Sequence, residues 1–150
     1  MAMTYTYAHP EMSRNRTPIT AMQFAESAVA VPATGTGETS EILLYGLYDR
    51  VAFQITNNGP TNAFDAMVIE AKAHSDGAWT SYVTSAQLNT GTAIAGLLIL
   101  VVTNPTTLAA DGVSFIVINT TGLYSVRITI SSDTDAVTAD VIGTAGTGRQ

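Results

Sequence analysis

The sequence predicts an all-β protein: an antiparallel, jelly-roll-like β-sandwich of eight or nine short strands, preceded by an extended N-terminal arm. Three observations carry this expectation. From residue 47 to residue 142 apolar side chains recur with a period of two, the spacing of half-buried strands. Turn signals rich in Asn, Gly, Pro and Asp separate these segments about every 8–12 residues, as in sandwiches and barrels. Charged residues make up only 12% of the 150, about half the usual ~25%. Thr (23) and Ala (21) take their place, which excludes a coiled coil, a charged helical bundle and an acidic disordered chain.

Residues 1–40 read as arm and linker, and 41–150 as the sandwich domain. Met1, Met3, Tyr5 and Tyr7 alternate with Thr4 and Thr6, a strand pattern with no hairpin partner close in sequence. Residues 1–17 are therefore expected to be an extended arm, mobile until it adds to a neighbouring sheet edge. The segment 19–31 fits two patterns: Ile19, Met22 and Ala25 have helical spacing, whereas 28–31 reads as strand. Gly35-Thr36-Gly37 reads as a flexible turn between arm and body.

The body then alternates strands and turns. In 47–56, Val51, Phe53 and Ile55 share one face. Asn57 to Asn62 (NNGPTN) is a dense turn signal. In 63–74, Met67, Ile69, Ala71 and Ala73 oppose Glu70, Lys72 and His74, and Ser75-Asp76-Gly77 closes the strand. Further strands are expected at 79–83, 93–103, 113–119, 123–131 and 136–142. In the segment 123–131, Val126, Ile128 and Ile130 alternate with Arg127, whose long stem is placed to lie along the sheet and pair with Glu70 or Asp49 on a neighbouring strand.

Charge and motif content narrow the function. Net charge is −6 and Lys72 is the single lysine, so there is no basic stripe for nucleic acid or an anionic membrane. The longest apolar run, 93–102, is half of what a spanning helix needs, and 1–10 lacks the pattern of a signal peptide. Without cysteine there is no thiolate nucleophile or cysteine zinc site. His74-Ser75-Asp76 holds triad residue types, but adjacent residues cannot form the relay. Gly35 to Ser40 resembles a phosphate cradle yet lacks its Lys and carries Glu38. Asp133, Asp135 and Asp140 lack the spacing of a calcium loop and read as turn residues. No catalytic, metal or cofactor site is expected. Trp79 and the six Tyr are candidates for a sugar-stacking platform, against a plainer reading as core aromatics.

The feature least suited to a free monomer is a charge gap. No Asp, Glu, Lys or Arg occurs in the 34 residues 77–110, which contain Leu97, Leu98, Ile99, Leu100, Val101 and Val102. A half-exposed strand alternates with polar residues, whereas this one is apolar on both parities. Leu98 and Leu100 are expected on one face and Ile99 and Val101 on the other. Both faces are then covered by the fold, or one is covered by a partner subunit. Together with the arm this favours an oligomer, a trimer first.

Four stretches together resemble the β-sandwiches of phage virion structural proteins: Tyr48-Asp49-Arg50-Val51-Ala52-Phe53-Gln54-Ile55-Thr56, the turn Ser75-Asp76-Gly77-Ala78-Trp79, the segment from Asn119 through Gly122, Val126 and Arg127 to Ile128, and the closing segment 136–143. The resemblance implies a small, non-enzymatic head, neck or tail protein. It points first to a capsid decoration (cement) protein on the virion surface, bound to the major capsid protein or other virion subunits. The contacts expected are the arm (Met3, Tyr5, Tyr7, Arg14, Arg16) and the apolar strand (Leu97, Leu98, Ile99, Leu100, Val101). A neck, tail or fibre subunit is the alternative, and a carbohydrate-binding module the second.

Overall fold

The computed structural model describes residues 3–7 and 21–147. Eleven strands build two antiparallel sheets: β1 (Thr4–Tyr7), β2 (Ala21–Val31), β3 (Gly37–Glu38), β4 (Ile42–Leu43), β5 (Arg50–Asn57), β6 (Phe64–Lys72), β7 (Thr80–Val83), β8 (Leu98–Val102), β9 (Val113–Asn119), β10 (Ser125–Ser132) and β11 (Val137–Gly146). The order β1-β2-β11-β5-β9-β8 forms a six-stranded sheet, and β3-β10-β6-β7, with β4 also on β10, forms a five-stranded one. Strands cross repeatedly from sheet to sheet as the chain proceeds, which is the connectivity of a jelly roll. The expected fold class is the one observed. The strand count exceeds the expected eight or nine because β1 adds an edge to the six-stranded sheet, and because β3 and β4 are two short pieces along β10.

The alternation in the sequence sets the core. Val51, Phe53 and Ile55 of β5, Met67 and Ile69 of β6, and Val126, Ile128 and Ile130 of β10 are fully buried between the sheets. Phe24 of β2 and Phe53 meet edge to face, ring centroids 5.7 Å apart, over Gly143, which lies opposite both in the ladders. A Cβ on Gly143 would meet the Ala52 carbonyl oxygen and stand 2.5 Å from Phe24 Cζ. The glycine lets the two rings close the space above β11.

Residues 21–38 correct the expected division at residue 40. β2 and β3 are sandwich strands, one in each sheet, so this part is not linker. The two-way reading of 19–31 resolves as strand from Ala21, with Met22, Phe24, Val29 and Val31 inward. The turn signal at 57–62 resolves differently: Asn57 ends β5 fully buried. Its Nδ2 donates to the carbonyls of Asn62 (2.8 Å) and Leu108 (2.9 Å), and its Oδ1 accepts from Gly59 N–H. The short helix α1 (Ser85–Thr90) was not expected. Its capping box is legible: Thr84 Oγ1 accepts from Gln87 N–H and Gln87 Oε1 accepts from Thr84 N–H.

Candidate interaction surface

The two outer faces of the sandwich differ in chemistry. On the five-stranded sheet, Arg127 stands opposite Glu70 in the ladder. Its Nε donates to Glu70 Oε1 at 2.8 Å, and a second guanidinium nitrogen lies 3.3 Å from Glu38 Oε2. Lys72 Nζ lies 3.1 Å from Glu41 Oε2, which also accepts from Ser125 Oγ at 2.7 Å. Partial burial pushes the Glu41 carboxyl up, but the bonds from Ser125 and Lys72 and the charges of Lys72 and Arg127 outweigh it and hold its pKa below the ordinary value. Arg127 and Lys72 both lie over the Trp79 ring, 4.4 and 4.8 Å from its centroid. The indole is thus part of a cation–π cluster, and a sugar stacking on the face they occupy has to displace them. Tyr45 and Tyr124 pair with each other edge to face.

The six-stranded sheet presents a different surface. Two adjacent rows run straight across it, one through Thr4, Ala25, Ile142, Gln54, Phe115 and Val102, the other through Thr6, Gln23, Thr144, Ala52, Val117 and Leu100. Neither row holds a charge. They grade from hydroxyl and amide groups on β1 and β2 to purely apolar side chains on β9 and β8. The small residues Ala25 and Ala52, among taller neighbours, leave a shallow groove of about 360 Å³. At the apolar end Leu100, Val102, Val113, Phe115 and Ile142 remain 39–46% exposed, and Ile99 is 38% exposed.

The edge strand β8 behaves differently from its expected alternation. A bulge between Leu98 and Leu100 shifts its register against β9. Leu98 faces inward, 1% exposed, while Leu100 faces outward opposite Val117. The expected pairing of Leu98 with Leu100 on one face is therefore corrected: Leu98 goes with half-buried Val101 inside, and Ile99, Leu100 and Val102 are outside. Leu97, half-buried, packs against the core. Among the described strands β8 has a sheet neighbour on one side only. Val102, Val113, Phe115 and Ile142 were not among the expected contact residues. For Val113 and Phe115 a signal lies in 113–118, where Val113, Phe115 and Val117 are apolar on one parity and Ile116 and Ile118 on the other; Val102 ends the apolar run of the charge gap.

The arm is placed as well. β1 is not a free strand here: Thr4, Tyr5, Thr6 and Tyr7 stand opposite Ala25, Phe24, Gln23 and Met22 of β2. Met3 and Tyr5 are half-buried and pack against the core. Tyr5 reaches across to the other sheet, its hydroxyl donating to the Glu41 carbonyl at 2.9 Å and accepting from Leu43 N–H at 3.3 Å. Arg14 and Arg16 lie outside the described residues. Asp140 serves the fold, because its Oδ1 accepts from Ala28 N–H and Asn58 Nδ2 beside a break in the β2–β11 ladder. Among the described residues no group of three His, Asp or Glu is placed to hold a metal.

No family model and no curated protein matches the chain. Among solved structures it is similar to the SPBc2 prophage-derived protein YomS, with 15% identity and a TM-score of 0.50 over 88% of this chain and 99% of that one. A module-bearing xylanase 10B fragment of Clostridium thermocellum aligns at 10% identity and a TM-score of 0.41, over 99% of this chain and 25% of that one. Tailspike protein 4 of bacteriophage CBA120 aligns at 9% and 0.40, over 97% and 18%. The likeness to YomS is one of fold; the other two, spanning a quarter or less of those proteins, carry no argument about this chain.

Proposed function

We propose that the protein is a non-enzymatic virion structural subunit, and specifically a capsid decoration (cement) protein that works as an oligomer on the surface of a phage head. The observation that carries this reading is the uncharged apolar end of the six-stranded sheet, which terminates in an edge strand with one free side. A monomer in water gains nothing from such a face, and an exposed apolar edge is a hazard that soluble proteins usually guard with charge or proline. A subunit whose face is covered in the assembled particle has neither problem. The sandwich is also the fold of a prophage-derived protein.

Magnitudes say how the face is used. Fully burying a large apolar side chain is worth about 1.5–3 kcal/mol. Six side chains, each already about half covered, therefore contribute roughly 1 kcal/mol apiece on docking. That total only matches the low end of the ~4–15 kcal/mol cost of association. The patch by itself makes a weak contact, so stable decoration needs a second contact or many copies acting together on a lattice.

Quantitative mass spectrometry of purified parent virions tests the proposal. A copy number comparable with that of the major capsid protein supports decoration. A few copies per particle favours the neck, tail or fibre alternative, and absence from the particle overturns the virion reading.

A further inference from the structure

We propose that the outer face of the six-stranded sheet receives a second copy of this chain, packed face to face about a two-fold axis along its rows, with Arg50 of each copy set against Asp140 of the other. This packing rests on the oligomeric reading above and names the partner and its register. Two further rows flank the uncharged pair. One runs through Gly146, Arg50 and Asn119, the other through Asp140, Thr56 and Val113. Arg50 is exposed and shares the parity of Ala52 and Gln54. Asp140 shares that of Ile142 and Thr144. Among the described residues these two are the charges that the strands of this sheet turn outward. Their rows lie at opposite ends of the face, six residues apart along β5, or ~20 Å. Arg50 makes no ion pair with a described residue. Asp140 uses Oδ1 for Ala28 N–H and Asn58 Nδ2, and no described residue bonds its Oδ2.

Two such faces can meet with two-fold symmetry in two ways. An axis along the strands, centred on the sheet, keeps each level and reverses the strand order. The Arg50 row then meets the Arg50 row of the second copy, and the apolar β8 end meets Thr4 and Thr6. An axis along the rows keeps the strand order and exchanges the levels. β8 and β9 then cover β8 and β9 of the second copy, apolar on apolar. Arg50 lies over Thr56 of the second copy, with Asp140 one strand away at about 5 Å. Aligned sheets pack within about 30° of each other, so an arginine stem still reaches. Charge and polarity thus choose the same axis, and side-chain size agrees. With the axis between the two uncharged rows, Phe115 faces Val117, Gln54 faces Ala52 and Gln23 faces Ala25 of the second copy. Each pairing occurs twice, as in any isologous contact. The groove over Ala25 and Ala52 is filled by the two amides, and the apolar patches of both copies are covered at once. Charge pairs at the rim add little affinity; they set the register.

Sedimentation of the full chain tests the pairing with Arg50→Glu, Asp140→Asn and the double variant. Asn at position 140 keeps an oxygen for Ala28 N–H and Asn58. Wild type is expected to form dimers and to stop there. Arg50→Glu sets acid against acid at both rims and is expected to weaken dimerisation about tenfold. Asp140→Asn is expected to weaken the wild-type dimer severalfold, because Arg50 loses its partner, and to strengthen the Arg50→Glu dimer, because a repulsion is removed. A destabilised fold moves both backgrounds in the same direction, so the reversal of sign belongs to the contact between copies. Thr56→Lys repeats the test if Asp140→Asn does not fold: it is expected to weaken the wild-type dimer and to rescue Arg50→Glu. Substitutions that act alike in both backgrounds overturn this register, while a dimer that still dissociates with Phe115→Asp keeps the oligomeric reading. A wild-type trimer overturns the two-fold packing and keeps that reading. A wild type that stays monomeric at the highest soluble concentration overturns both.

Discussion

The two outer faces of this sandwich back onto one shared core and differ in the side chains they carry. On the five-stranded sheet the polar parity of the strands carries Glu70, Lys72 and Arg127, and each charge has partners within the same chain. On the six-stranded sheet the same parity carries Ile142, Phe115, Val102 and Leu100, which stay 43–46% exposed among the described residues. One face is completed by its own side chains and needs only water. The other, among the described residues, is left open to solvent at its apolar end. Period-two patterning fixes which residues go inside; it leaves the outer face free to be either kind, and here one molecule holds both.

The comparison breaks most visibly at the β8 bulge. Leu98→Asp places a charge at a 1% exposed site, at a cost of several kcal/mol or more, a large share of the ~5–15 kcal/mol that a domain possesses. This variant is expected to lose its cooperative melt by circular dichroism. Leu100→Asp, two residues on but outward, is expected to melt within a few degrees of wild type and to lose assembly in sedimentation velocity. Equal behaviour of the two variants removes the bulge and restores simple alternation.

A second pair separates the faces themselves. Phe115→Asp puts a charge in the apolar end of the six-stranded sheet. Ser131→Asp puts one on the outer face of the other sheet, at a half-buried position of β10. Phe115→Asp is expected to weaken self-association at least tenfold, about 1.4 kcal/mol, and Ser131→Asp to leave it unchanged. A reversed order moves the contact surface to the charged face.

On that charged face the expected effects are smaller. Arg127→Met removes two ion pairs and a ring contact and leaves Glu70, whose side chain is 20% exposed, without its closest partner. A loss of about 1–2 kcal/mol in urea unfolding is expected, with part of it recovered in the double variant Arg127→Met/Glu70→Gln. No loss at all would mean that the guanidinium contributes nothing beyond solvation.

The fold was legible because alternation is a local property. Val51, Phe53 and Ile55, or Val126, Ile128 and Ile130, announce their face within a handful of residues, and Arg127 opposite Glu70 follows from two such strands lying side by side. What escaped is non-local or breaks the period. The Leu98–Leu100 bulge breaks the alternation in a run whose residues are all apolar, so the side-chain pattern carried no trace of it. The pairing of β1 with β2 lies across thirteen intervening residues and leaves no mark in either segment. The apolar face was half visible: the charge gap exposed Leu97 to Val101, but Phe115 and Ile142 join it only through the order β11-β5-β9-β8, which side-chain spacing does not encode.

The smallest expected effect is also the one that distinguishes the faces by pH. Glu41 is held below its ordinary pKa because the hydrogen bonds from Ser125 and Lys72, with the charges of Lys72 and Arg127, outweigh the opposing effect of its burial. A folded-state pKa below the unfolded one means that the group contributes stability above the unfolded value, near 4.3 for Glu, and loses it as pH falls through the folded value. With its side chain a third exposed, the Lys72 pair is worth about 0.2–1 kcal/mol. Urea unfolding of wild type against Glu41→Gln is therefore expected to differ by that amount at pH 7, less at 1 M salt because exposed pairs are screened, and hardly at all near pH 3. A difference that ignores pH assigns the effect of Gln to packing rather than charge. The two central rows of the other face hold no titratable side chain, so self-association through them is expected to change little with salt. It is also expected to change little between pH 5 and pH 8. A steep pH or salt dependence of association would instead place the contact among Glu38, Glu41, Glu70, Lys72 and Arg127.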